Sequence, residues 1–189
     1  VVEGRREAAS SGAISGPHFP STTGYAGGPP PHACGAGRMA APLMQVDFYH
    51  LTARPIEAVL PRIAERVLET GGRLLVVSAD EAQRDRIDAA LWTYEPESFL
   101  PHGKADGGGE ANQPVLIAGT ATPANGAANI ALADGEWRDE ALAFARAFHF
   151  FDDASIVAAR AAWRGLAARE GVEPRYWKQD ERGRWSRVA

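Results

Sequence analysis

The apolar positions of this chain change period along its length, and each change marks an element. From Gln45 to Leu51, Val46, Phe48 and His50 alternate with Asp47, Tyr49 and Leu51, the period of a strand. Thr52-Ala53-Arg54-Pro55 reads as a loop. Leu60, Ile63, Val67 and Leu68 then recur at helical spacing, with Pro61 confined to the first turn, where its missing N–H costs nothing. Gly71-Gly72 is expected to cap that helix. Leu74-Leu75-Val76-Val77 is continuously apolar, as in a strand covered on both faces. Ser78, with Glu81 three residues on, predicts a capping box for a helix that carries Ile87, Ala90 and Leu91 and runs to Trp92.

The second half continues in kind. Val115-Leu116-Ile117-Ala118 and Asn129-Ile130-Ala131-Leu132-Ala133 are strand-like runs, with a turn at Pro123-Ala124-Asn125-Gly126. Between Gly103 and Asn112, Gly107-Gly108-Gly109 predicts an irregular connection without the spacing of a phosphate loop. Trp137 to Phe148 is expected to be helical, with Leu142, Ala145 and Phe148 in step. Asp152-Asp153 suit the N-terminus of a long helix reaching about Arg169. The residues around Tyr176-Trp177-Lys178 and Arg184-Trp185 read as a short extended return. Strands and helices alternating through short connections predict an α/β fold: three layers, α/β/α, around a mainly parallel sheet, Rossmann-like in topology but without a dinucleotide motif.

Composition sets the limits of the domain. Residues 1–43 are dominated by Gly, Pro, Ser, Thr and Ala with no apolar period, so they are expected to be a disordered or extraneous extension. One α/β domain is expected over 44–189, and 189 residues at 45% hydrophobic suffice for its core. No apolar run approaches the roughly 18 residues of a membrane span, and no secretory pattern opens the chain; a cytoplasmic protein is expected. The single cysteine, Cys34, allows no intramolecular disulfide and no cysteine-based zinc site.

The net charge of −4 is unevenly spread. Residues 1–43 hold three arginines against two glutamates, and residues 160–189 hold eight basic against four acidic side chains. Residues 44–159 therefore carry an excess of nine negative charges. Such a body argues against strong direct binding of nucleic acid, while the basic end suits a small anionic partner.

Catalytic motifs are missing: no G-x-S-x-G, no H-E-x-x-H, no Walker lysine. Asp80-Glu81 and Asp152-Asp153 stand where helix caps belong. His50, His102 and His149 lack ligand spacing, as do His18, His32 and Cys34. No metal or cofactor is expected. Two stretches stand out instead. Leu91 to His102 crowds Trp92, Tyr94 and Phe99 into a segment that Pro96 and Pro101 hold out of regular structure, either as a helix end packing on the sheet or as a docking surface. On the last helix, Ile156, Arg160, Trp163, Arg164 and Ala167 share one face. That face is either a surface helix whose Trp163 packs on the sheet, or a seat for an acidic peptide ending in an aromatic group and a free carboxylate.

Several of these motifs together resemble the chi subunit of bacterial DNA polymerase III. They are Asp47-Phe48-Tyr49-His50-Leu51, Leu91-Trp92, Glu97-Ser98-Phe99-Leu100-Pro101-His102, Arg160-x-x-Trp163-Arg164 and Tyr176-Trp177-Lys178-Gln179. The resemblance spans about residues 44–187; residues 1–43 have no counterpart in it. It implies a non-catalytic subunit of the replicative holoenzyme, with no cofactor. By position, Arg160, Trp163 and Arg164 would hold the acidic C-terminal tail of the single-stranded DNA-binding protein. The family can carry Tyr-Lys where this chain has Trp163-Arg164, which keeps an aromatic and a cation. Trp92, Phe99 and Leu100 would face the psi subunit where it exists, and otherwise the clamp loader or a helicase. The competing expectation is a nucleotide-binding α/β enzyme using the strand-end crevice.

Overall fold

A computed structural model describes residues 43–105 and 107–189. Their centre is an eight-stranded sheet: β1 (Met44–His50), β2 (Leu74–Val77), β3 (His102–Lys104), β4 (Val115–Ala118), β5 (Asn129–Leu132), β6 (Arg146–Phe151), β7 (Val172–Gln179) and β8 (Trp185–Arg187). The strand order is β3-β4-β2-β5-β6-β1-β7-β8. Every pairing is parallel except the terminal β7–β8 hairpin.

Among the described residues three α-helices cover the sheet: α1 (Leu60–Glu69), α2 (Glu81–Trp92) and α3 (Ile156–Ala167). Alternate residues of the buried strands divide between two cores. Leu74, Val76, Val115, Ile117 and Phe150 pack with Leu60, Ala64, Ile87 and Leu91 of α1 and α2. Leu75, Val77, Leu116, Phe48 and Phe151 pack with Ala159 and Leu166 of α3 on the other side. Two covered faces explain why β2 and β4 are apolar at every position, and they make the fold a three-layer α/β/α sandwich.

The first helix follows the sequence closely. Pro61 lies in the first turn of α1. At its end Gly71 adopts φ 73°. The Gly72 N–H donates to the Val67 carbonyl (3.0 Å) and the Gly71 N–H to that of Leu68 (2.8 Å), a Schellman closure.

Elsewhere the structure corrects the pattern. The N-cap of α2 is Asp80, whose carboxylate accepts from the Ala82 N–H (3.0 Å). Ser78 is buried, and its hydroxyl donates to Gln83 Oε1 (2.6 Å) instead of forming a capping box with Glu81. The expected helix from Trp137 to Phe148 is a 3₁₀ segment, Asp139–Ala143, followed by β6. Leu142, Ala145 and Phe148 satisfy a helical period by coincidence. The unbroken run Ala147 to Phe151 is buried throughout between β5 and β1, and that pairing decides its state.

Part of the supposed irregular connection is the edge strand β3, which pairs with β4. Helix α3 starts three residues beyond Asp153, with Ser155 as N-cap, and stops at Ala167. Asp152 closes the preceding turn by accepting from the Ser155 N–H (3.0 Å) and hydroxyl (2.7 Å). The short extended return is a full strand, β7, with β8 folded back on it. No helix among the described residues is long and apolar enough to cross a membrane. Residues 1–42, including His18, His32 and Cys34, lie outside the described residues.

Candidate protein-docking sites

Helix α3 places Arg160 and Trp163 against the sheet face formed by β6, β1 and β7. The Trp163 indole stands edge-on to Phe48 (5.2 Å between centroids, 74°) and to Tyr176 (6.3 Å, 71°). Phe48 and Tyr176 are register partners across β1 and β7. With Phe151, Ile156 and Arg160 they line a cavity of about 250 Å³. An apolar cavity of about 150 Å³ already admits benzene, so this one has room for an aromatic side chain.

The wall is held from behind. The Tyr176 hydroxyl lies 3.0 Å from His50 Nδ1, and His50 Nε2 lies 2.9 Å from Asp153 Oδ1. Burial raises the Tyr176 phenol above its ordinary value, so it is neutral at pH 7. Arg160 is exposed at the rim. Arg164, one turn on, is also exposed; its Nε donates to the Arg160 carbonyl (3.3 Å), and it does not line the cavity.

The second candidate follows α2. The Thr93 N–H and hydroxyl both bond the Ala89 carbonyl (3.2 and 2.8 Å), ending the helix, and the Ser98 N–H donates to the Glu95 carbonyl to form the next turn. This leaves Trp92 60% and Phe99 72% exposed, with ring centroids 6.2 Å apart. Trp92 also stands edge-on to His102 (4.9 Å). Leu100 points the other way: it is 4% exposed and belongs to the core beside Leu91. Of the three residues expected to meet a partner here, the structure brings Trp92 and Phe99 together at the surface and removes Leu100 from it.

Among the described residues the strand-end crevice, about 810 Å³, is lined by Glu57, Asp80, Asp134, Glu136 and Asp152, with Arg54 as its cation. That charge repels phosphate. Asp134 is also fully engaged. Its carboxylate takes both Arg138 NH groups (2.8 and 2.6 Å) and the Ala79 N–H (2.9 Å). Burial opposes its ionisation, but these bonds outweigh it and hold the carboxyl below its ordinary range. It acts as a latch between β5 and the start of α2. Among the described residues no group of three or more His, Cys, Asp or Glu side chains is placed to hold a metal.

The family model for the DNA polymerase III chi subunit, HolC, matches residues 43–174. The chain belongs to the DNA polymerase III chi subunit family. It is 35% identical over 86 residues to DNA polymerase III subunit chi of Pseudomonas aeruginosa, an alignment covering 44% of this chain and 59% of that protein. It is 40% identical over 63 residues to the Escherichia coli subunit chi, covering 33% and 43%. With the Haemophilus influenzae subunit chi it shares 33% over 70 residues, covering 35% and 46%. The chain spans about half the length of the curated relatives it matches.

The chi-family match contains Trp92, Phe99, Leu100, Arg160, Trp163 and Arg164 but stops before Tyr176. The helical face of Arg160 and Trp163 is readable from their spacing. Phe48, Phe151 and Tyr176 sit in readable motifs too, yet their meeting as one cavity wall depends on the pairing of β1 with β6 and β7.

Proposed function

We propose that this chi-family chain is a non-catalytic accessory subunit of the DNA polymerase III holoenzyme in the cytoplasm. In this reading it links the clamp-loader assembly to the single-stranded DNA-binding protein through that protein's acidic C-terminal tail. The observation that supports it is the cavity of Phe48, Phe151, Trp163 and Tyr176, with Arg160 at its rim and Arg164 one turn away. The terminal aromatic ring of the tail fills the cavity, its carboxylate meets Arg160, and preceding acidic residues lie along α3 toward Arg164. The exposed Trp92–Phe99 pair is the second docking point, for psi or, without it, for the clamp loader or a helicase.

The test is isothermal titration of the full chain with a tail peptide, with and without its final residue. Exposed charge pairs are screened, so the affinity is expected to be about micromolar and to fall with salt. Arg160→Ala is expected to weaken binding by about 1–3 kcal/mol, the range of charged hydrogen bonds. Trp163→Ala acts through lost apolar contact and is expected to depend less on salt. Absence of binding, or equal binding by the truncated peptide, overturns the reading.

A further inference from the structure

On the opposite face of the sheet a groove of about 640 Å³ opens between α1 and the β7–β8 hairpin. Among the described residues six arginines line it (Arg54, Arg62, Arg66, Arg146, Arg182 and Arg184) and no Asp or Glu does. In a chain of net charge −4 such a concentration is not the average surface. Arg146 is paired with Asp47 and Arg184 with Asp180. Arg54, Arg62, Arg66 and Arg182 take part in no ion pair among the described residues.

The groove also has an aromatic floor. Trp177 and Tyr49 lie nearly parallel (10°, 6.2 Å), and Trp185 meets Tyr49 edge-on (4.8 Å). The floor is preset by Asp47, which is fully buried. Its carboxylate accepts from Trp177 Nε1 (2.9 Å) and from Arg146 (2.6 and 2.8 Å). Arg146 in turn sits 4.5 Å above the Phe148 ring. Gln179 ties the groove wall to the loop after β1: its Oε1 accepts from the Ala53 and Arg54 N–H groups, while its Nε2 is buried without an acceptor among the described residues.

Guanidinium groups recognise phosphate through paired N–H donors, and indole and phenol rings stack on nucleobases. The volume is that of a small-ligand site. An acidic peptide would engage the arginines and leave the rings wet; a nucleobase carrying phosphate engages both. The acidic body limits the contact to a few phosphates. We propose that this groove binds a phosphate-bearing nucleobase, presented either by a free nucleotide or by a short segment of single-stranded nucleic acid.

The experiment titrates the full chain into fluorescein-labelled oligothymidylate, following anisotropy and tryptophan fluorescence, with dTTP and an aspartate-rich peptide lacking aromatics as competitors. Binding at about 50 mM salt is expected, with tryptophan quenching and, for three or four phosphates, a log–log salt slope of about −2 to −3. Arg62 and Arg66 are exposed on α1, so replacing both should leave the fold intact; melting of the variant checks this. Arg62→Ala with Arg66→Ala is expected to weaken binding about tenfold or more, and Trp185→Leu to reduce the quenching. Displacement by dTTP at concentrations comparable to the oligonucleotide identifies a free nucleotide as the source; displacement only at far higher concentration identifies the single strand. Three results overturn the proposal: no binding of either ligand, binding unchanged in a folded Arg62→Ala, Arg66→Ala variant, or equal displacement by the peptide. The tail titration at the α3 cavity is read separately and does not bear on this outcome.

Discussion

His149 gives the sharpest stability prediction. It lies on β6, 0% exposed, with its ring 5.1 Å from Phe48, 5.7 Å from Trp137 and 5.7 Å from Phe151. Neither ring nitrogen has a hydrogen-bond partner among the described residues. Burial among these rings pushes its pKa from 6.5 down to about 4; Asp134 opposes the shift and Arg138 adds to it. The folded state therefore resists a proton that the unfolded chain takes up near pH 6.5. Above that pH the group has no effect. Between 6.5 and about 4 the unfolded state holds more protons, so stability falls as pH falls. At about 1.36 kcal/mol per pH unit the full loss is about 3 kcal/mol, and about 2.5 kcal/mol is reached by pH 4.5. A domain stable by about 5–15 kcal/mol feels this strongly. His149→Phe keeps the ring and removes the titration. Urea unfolding followed by tryptophan fluorescence, from about pH 7.5 to 4.5, is expected to show the variant gaining on the parent by about that amount. The low-pKa carboxylates of Asp134 and Asp152 stay charged until lower pH and titrate alike in both proteins, so they cancel. Parallel stability curves for the two proteins would refute the reasoning.

The remaining predictions are more local. Phe99→Ala, at a site 72% exposed, is expected to change stability by less than about 0.5 kcal/mol while costing about 2 kcal/mol or more in binding to the partner proposed for this site. Leu100→Ala, 4% exposed, is expected to destabilise by about 2–5 kcal/mol; a fall in melting temperature for Phe99→Ala and none for Leu100→Ala would invert the assignment. Asp47→Ala leaves Arg146 and the Trp177 N–H without their acceptor and is expected to cost about 3 kcal/mol or more in chemical unfolding; an unchanged midpoint would show that water replaces the carboxylate freely. From their aperiodic composition, residues 1–43 are expected to add little stability, and a chain beginning at Met44 should melt within about 5 °C of the full chain.

Where local pattern and tertiary environment agree, the sequence alone was enough. Leu74–Val77 and Val115–Ala118 read as strands because four consecutive apolar residues bounded by turns suit a strand buried on both faces, and both are so buried. Helix α1 was legible from Pro61 at one end and Gly71-Gly72 at the other, because φ restrictions act within a few residues. The face shared by Arg160 and Trp163 followed from helical spacing in the same way.

Tertiary structure decided whatever rests on partners distant in the chain. Arg146–Phe151 carries both a helical and a strand pattern, and only its place between β5 and β1 selects the strand. Phe99 and Leu100 are neighbours of equal hydrophobicity; the turn after α2 sends one to solvent and the other to the core. Trp163 meets Phe48 and Tyr176 only because parallel pairing of β1 with β7 brings those two into register. Arg54, Arg62 and Arg66 each look like a solvated charge in the sequence, as do Arg182 and Arg184. They line one groove because a hairpin more than a hundred residues downstream folds back beside α1, and electrostatic potential depends on distance in space, which the order of residues does not record.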